Sequence, residues 1–352
     1  MKSLDCRRLA LSICIAAAML TACGGSQPPI GAPGAMPQSR AIATDVARGG
    51  SWMVPEATSE DLLYVSTAKG PVNIYAYRSA IHKQVGTLSG LSFPMGQCVD
   101  AQGNIWITDF RSDDIVEFAH GGTSPLKTLQ TSASVGPVGC SVSPNGDLAV
   151  SFSRLADGST AGGILVFKNA SGAPIEYANP KCDNPLSPGY DLVGNLYVEG
   201  AKYVSSSAAQ INVCELPNGG TSLRQISFNH RLHTSGSTMW DGKHITLTES
   251  QTRYDGQTIS EIFQARATRS GNLAESGVTA LKYAGCLSAG NQFFIVGRKN
   301  TPVNDRVGTA AVNAPGSNYC NQVFAWSYPD GALEWSLSVS DPTGVAVSLA
   351  LK

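Results

Sequence analysis

Charged residues make up only 14% of this 352-residue chain. Long solvated helices laced with ion pairs therefore have little to be built from. Neither sign of charge is in excess, with 25 Lys and Arg against 26 Asp and Glu. That balance offers no electrostatic case for nucleic acid or for an anionic membrane surface. No Cys-x-x-Cys pair, Walker-type glycine loop, nucleophile elbow or basic stripe occurs. Zinc sites, phosphate cradles and α/β-hydrolase chemistry thus lack their usual sequence signatures. "GGTS" at 121–124 and again at 219–222 reads as a hairpin tip, because neither copy opens a helix. What the chain does have is 37 glycines, 19 prolines and 42% hydrophobic residues. Those are the materials of one large all-β domain, or two ordinary ones, with a core of ample size.

The first residues do not read as part of the fold. "MKSLDCRRLALSICIAAAMLTAC" carries Lys2, Arg7 and Arg8 in a basic head, then an apolar run from Leu9 to Leu20. The run is too short for a permanent membrane helix and fits a secretory signal. "LTAC" (Leu20 to Cys23) resembles the bacterial lipobox. The resemblance implies a signal peptide at 1–22, cleavage before Cys23 and transfer of diacylglycerol to its thiol. Two or three acyl chains would then hold the protein at the membrane. Gly24 after the lipidated cysteine implies, by the same resemblance, the outer membrane of the bacterial cell envelope. Residues 23–58 are rich in Gly, Pro, Ser and Ala and hold no period of 2 or 3.6. They read as a flexible tether with an r.m.s. span of roughly 30–35 Å. "SWMVP" (51–55) is apolar enough to dock on the domain that follows, at one of its faces.

From Asp61 onward one pattern recurs. "DLLYVST" begins at 61, "GNIWITD" at 103, "GDLAVSF" at 146, "GNLYVEG" at 194, "GKHITLTE" at 242 and "GNQFFIVG" at 290. The apolar pairs Leu63/Val65, Ile105/Ile107, Leu148/Val150, Leu196/Val198, Ile245/Leu247 and Phe293/Ile295 are each separated by one residue. That is the period of a strand with one buried face. Copies recur roughly every 40–50 residues, the length of one four-stranded propeller blade. Around each copy lie an inner strand ("PMGQCVD", "PVGCSVS", "SPGYDL") and a third strand ("IYAY", "IVEF", "ILVF", "INVC", "VFAW"). A fourth strand follows a glycine-containing turn, as in "NASGAPIEY" and "YPDGALEWSL". The first copy lacks an inner strand, and "DPTGVAVSLALK" (341–352) is an inner strand with nothing after it. Joining the two predicts an all-β, six-bladed β-propeller over 59–352, closed by the C-terminal strand pairing with the N-terminal blade.

Through "DAQGNIWITD" and its degenerate siblings, the repeat resembles six-bladed propellers of the NHL and SMP types. The chain also resembles a family of uncharacterised bacterial lipoproteins with the same tether and repeats. Two enzyme families share related propellers. Lactonases of the gluconolactonase type hold a divalent metal with Glu, Asn and Asp around the channel, and Glu199, Glu249, Asn195 and Asp191 are the available residues here. Streptogramin lyase needs a His and a Glu, for which His230, His233 and His244 are candidates. Neither family's motif can be matched position by position. "HRLH" (230–233) lacks the spacing and the intervening Glu of a zincin helix. His82 and His120 sit by turns.

Asp100 and Asp191 stand in matching places before a turn glycine, and Asp241 directly precedes Gly242. A ring of channel carboxylates for a cation is one reading. Aspartates accepting turn N–H groups is the other, and recurrence in several blades favours it. By the same logic Asn104 belongs to a hairpin and Trp106 to the packing.

Setting aside Cys6, Cys14 and Cys23, six cysteines remain: Cys98, Cys140, Cys182, Cys214, Cys286 and Cys320. An even number in an exported protein predicts disulfides rather than metal. Matching repeat positions pair Cys98 with Cys140 in adjacent blades. Cys182 and Cys214 share a blade, as do Cys286 and Cys320. No catalytic residue, metal or cofactor is predicted. The expected function is a monomeric binding or protein-interaction module of the cell envelope. Its membrane contact is the lipid anchor, and its partner is an unidentified protein or small molecule. The rival is a metal-dependent, lactonase-like hydrolase or a lyase working in the channel.

Overall fold

The computed structural model describes residues 49–131, 135–154, 162–205, 208–252, 258–282, 292–297, 304–310 and 321–351. All belong to the compact unit Arg40–Lys352. Their strands form six antiparallel sheets. In chain order the first sheet takes β1 (Trp52–Met53), β2 (Leu62–Thr67), β3 (Val72–Ala76) and β4 (Gln84–Leu88). The second takes β5 (Pro94–Val99), β6 (Ile105–Asp109), β7 (Asp114–Phe118) and β8 (Pro125–Gln130). The third takes β9 (Val135–Val142), β10 (Leu148–Arg154), β11 (Gly162–Phe167) and β12 (Ile175–Tyr177). The fourth takes β13 (Gly189–Tyr190), β14 (Leu196–Ser205), β15 (Ala208–Leu216) and β16 (Arg224–Ile226). The fifth takes β17 (Met239–Trp240), β18 (Ile245–Thr252), β19 (Thr258–Ala267) and β20 (Leu273–Ala280). The sixth takes β21 (Gln292–Gly297), β22 (Asn304–Ala310), β23 (Gln322–Ser327) and β24 (Leu333–Ser338). The last strand, β25 (Pro342–Ser348), returns to the first sheet and pairs with β2 from Leu62↔Ser348 to Thr67↔Pro342.

The protein is an all-β propeller, and its packing follows from the period of its second strands. Leu63 and Val65 on one face of β2 pack with Val296, Val323 and Val345 of the sixth and first sheets. Leu62 and Tyr64 on the other face pack with Ile105 and Ile107 of the second sheet. Trp106 and Ile115 pack with Leu148, Val150 and Phe152. The pattern continues through Ile164 with Leu196, Tyr197 with Leu247, and Ile262 with Phe293. The sequence pattern anticipates one buried face per strand. Both faces are buried, because each sheet lies between two others, and so β2 and β6 are buried at every residue. Trp106 in the "GNIWITD" copy is thereby a packing residue, about 1% exposed.

Two placements differ from the sequence reading. "SWMVP" docks, but along an outer edge rather than a face: Trp52 and Met53 pair with Thr87 and Gly86 of β4. "GNQFFIVG" is expected to be a second strand. Instead β21 is the innermost described strand of its sheet, and β22 lies between it and β23. Inner-strand partners hold it there. Phe293 N donates to Ser237 Oγ at 3.2 Å, and Val345 N donates to Gln292 Oε1 at 3.0 Å.

Candidate functional site

The inner segments crowd one another around the axis. A Cβ on Gly96 would stand 2.4 Å from Val138 O, and one on Gly139 would stand 2.4 Å from Leu186 O. No side chain larger than hydrogen fits there, which accounts for the "PMG" and "PVG" pattern of these strands. One small hydroxyl near the end of each of several second strands ties the segments together. Thr108 Oγ1 lies 2.8 Å from Val138 O and 3.1 Å from Gly96 O. Ser151 Oγ donates to Leu186 O at 2.6 Å and accepts from Gly139 N at 2.9 Å. Thr248 Oγ1 accepts from Ser237 N at 2.7 Å, and Ser66 Oγ accepts from Gln97 Nε2 at 2.6 Å. Gln292 fills the middle, its Nε2 donating to Gln97 O at 2.9 Å. No local motif marks the two glutamines, and the hydroxyls are not among the expected site residues. The available signal was the Ser or Thr that closes "LLYVS", "NIWIT", "DLAVS" and "HITLT".

In the fourth sheet that place is taken by Glu199, which is fully buried. Its Oε1 accepts from Thr248 N at 2.9 Å and its Oε2 from Gly236 N at 3.2 Å. Burial pushes its carboxyl well above the usual range. The two N–H groups pull the other way, and the nearby Glu249 adds to the rise. Glu249 is also buried, but its register is one residue later. Its Oε2 accepts from His233 N at 2.8 Å. It matches Asp109, which accepts from Phe93 N at 2.6 Å and Ser92 N at 2.7 Å. The structure therefore brings Glu199, Glu249 and His233 into one neighbourhood. Glu249 and Asp109 share the task of holding the chain that enters their own sheet.

At the other end of the second strands lies a cavity of ≈ 380 Å³. Tyr190, Leu192, Trp240 and Phe294 line it, together with Asp100 and Asp191. Leu192 and its neighbour Val193 are 65% and 67% exposed. The carboxylates are engaged in their own turns. Asp100 Oδ1 accepts from Gln102 N at 2.9 Å and Asn104 N at 2.8 Å, and its Oδ2 accepts from Asn104 Nδ2 at 3.1 Å. Asp191 repeats the set with Val193 N, Asn195 N and Asn195 Nδ2. Asp241 accepts from Lys243 N, His244 N and the Tyr328 hydroxyl, the last at 2.6 Å. Burial pushes its carboxyl up, but the hydrogen bonds from Tyr328, His244 and Lys243 outweigh this and hold it below the usual range. Turn capping thus accounts for all three aspartates.

The remaining candidates are dispersed. His230 Nδ1 lies 3.1 Å from Glu275 Oε2, His244 Nδ1 lies 3.1 Å from Asp241 Oδ2, and His82 stacks on Trp335. His120 Nδ1 lies 2.7 Å from Ser348 Oγ, joining the last strand to the turn that precedes β8. Among the described residues no group of three or more His, Cys, Asp or Glu is placed to hold a metal ion. Cys98–Cys140 and Cys182–Cys214 are disulfides, the first between β5 and β9 of adjacent sheets and the second within the fourth sheet's unit. Cys23, Cys286 and Cys320 lie outside the described residues.

No family model and no curated protein matches the chain. Solved structures do. The chain is similar to one described as a nidogen/laminin complex, at 14% identity, over 82% of this chain and 98% of that one, with a TM-score of 0.56. It is similar to a protein of unknown function from Bacteroides caccae, at 12% identity, over 82% and 99% of the two chains, with a TM-score of 0.51. A third is hydrazine synthase of Kuenenia stuttgartiensis, at 11% identity, over 82% and 86%, with a TM-score of 0.54. At these identities the likeness shows the fold alone.

Proposed function

We propose that this chain is a lipid-anchored binding module of the bacterial cell envelope, with its ligand seated at the channel mouth. On this reading residues 1–22 are a signal peptide, Cys23 carries the lipid, and residues 23–58 tether the domain to the outer membrane. The six sheets are six blades of one NHL- or SMP-like ring, closed where β25 joins β2. The protein acts as a monomer, on a protein or small molecule.

The mouth carries this reading. Apolar and aromatic side chains from five sheets line a ≈ 380 Å³ cavity. Beneath it the axis is filled by Gln97 and Gln292. Concave apolar sites with a few fixed polar groups are what small ligands and peptide side chains occupy. The carboxylates at the mouth are held by backbone N–H groups, so they are structural acceptors rather than a free acid–base pair.

Thermal-shift screening of the purified full chain in detergent tests the reading, followed by titration of each hit against Leu192→Ser and Trp240→Ala. Hits should weaken at least tenfold in both variants, while a Leu126→Ser control on the exposed β8 strand leaves them unchanged. The enzyme rival predicts a stoichiometric divalent metal on the purified protein and lactone hydrolysis lost in Glu199→Gln. That outcome would replace the binding-module reading. Lipidation is tested separately, by the mass of the mature N-terminus and by release of Cys23→Ala from membranes.

A further inference from the structure

We propose that the outer edge of β15 is a docking site for an extended, acidic peptide strand from another protein. The inference stands apart from the mouth. The mouth adjoins the start of β14 at Asp191, whereas this edge lies towards the far end of the same ten-residue strand, roughly 30 Å away.

β14 and β15 pair along their length, from Leu196↔Leu216 to Ser205↔Ala208. The outer strand β16 meets β15 only at Val213, Cys214 and Glu215. Among the described residues, Ala208–Asn212 therefore has no strand on its outer side. In the fifth sheet the cover reaches two positions further: β20 pairs with Glu261, the equivalent of Asn212, and Leu281 N donates to Ser260 O, the equivalent of Ile211. In the fourth sheet the chain leaves after β16 and is held by the fifth. Ser227 O accepts from Leu273 N at 2.9 Å, and Glu275 N donates to Asn229 Oδ1 at 2.7 Å. The detour opens a groove of ≈ 800 Å³ between the bare edge and residues 227–233.

Alternate residues of a strand turn both N–H and C=O towards the same neighbour, so the bare stretch presents a short ladder of unused donors and acceptors. Protein edges of this kind are usually blunted by lysine or proline. "AAQIN" (208–212) contains neither, and carries no charge at all. Ile211 and Phe228 supply apolar wall on the two sides of the groove. The far wall carries one unmatched cation. His230 lies beside Glu275 and His233 beside Glu249, while Arg231 between them is exposed and pairs with no carboxylate among the described residues. A strand with a carboxylate side chain satisfies both the ladder and Arg231. A second copy of this chain would bring an uncharged edge and leave Arg231 unanswered. Strand addition of this type takes affinity from the main chain and specificity from alternate side chains.

The probe is a fluorescein-labelled Thr-Val-Glu-Val-Thr peptide, titrated by anisotropy against the full chain in detergent. Two analogues are compared, one N-methylated at both valines and one at glutamate and the second threonine. Saturable binding is expected, lost at least tenfold in one analogue and kept in the other, because only one set of N–H groups faces the edge. Arg231→Ala and a glutamate-to-glutamine peptide should each weaken binding about fivefold, and together no further. Absence of saturable binding, or equal behaviour of the two analogues, overturns the proposal. So does a dimer in sedimentation that the peptide dissociates, since a second copy would then be the occupant. Failure here leaves the mouth variants unaffected, and loss of mouth binding leaves this edge unaffected.

Discussion

Glu199 is where a single residue departs from the repeat around it. Four second strands place Ser66, Thr108, Ser151 and Thr248 at this level of the axis, and the fourth sheet places a buried carboxylate there. Its raised folded pKa fixes the sign of a pH effect. The stability it contributes is complete below the carboxyl's unfolded value and is lost as pH rises through the folded value. Denaturant melts of wild type and Glu199→Gln at several pH values between 4 and 8 should show the variant gaining on wild type as pH rises. A constant difference would show that folding leaves the Glu199 carboxyl's pKa unshifted. Gly139 makes a steric prediction. A methyl group 2.4 Å from Leu186 O must displace backbone, so Gly139→Ala should cost about 1–3 kcal/mol or more by thermal unfolding. At this scale the turns were legible in the sequence, because Asp100 and Asp191 stand at fixed offsets from their glycines. The glutamine plug was not, because Gln97 and Gln292 lie 195 positions apart and share no local pattern.

At the scale of the strand, period-2 pairs located every second strand but the last. β21 departs from this pattern because "GNQFFIVG" carries the apolar signature of both an inner and a second strand. Its neighbours decide between them: Ser237 Oγ and Val345 bind it as an inner strand. The length of β16, and with it the open edge of β15, also escaped the sequence. A fourth strand's extent depends on where the next sheet captures the chain, here Leu273 at Ser227. Pairing of cysteines was legible because the repeat aligned Cys98 with Cys140. Their disulfide closes a separation of 42 residues and Cys182–Cys214 one of 32. Loop-closure entropy assigns about 3–4 kcal/mol to each. Cys98→Ala/Cys140→Ala and Cys182→Ala/Cys214→Ala should each lower the unfolding free energy by that order, and a reductant should do the same to wild type. Trp106, buried between the second and third sheets, should cost about 3–5 kcal/mol when truncated to Ala.

For the whole molecule, six antiparallel sheets follow one another along the chain, and β25 pairs with β2 so that the last strand joins the first sheet. Six apolar clusters link the six sheets. One of them places Leu63 and Val65 of β2 with Val345 and Val347 of β25 and Val296 of β21. The pairing of β25 with β2 is legible in the sequence through a missing inner strand at one end and a spare one at the other. The sequence could not reveal the filled axis or the groove beside β15, because both arise from contacts between repeats. Amide hydrogen exchange along β25 tests this pairing most directly. The account predicts that Gly344 to Ser348 exchange as slowly as the amides of β6, at the rate set by global unfolding. Exchange within seconds, as in an unattached tail, would contradict it.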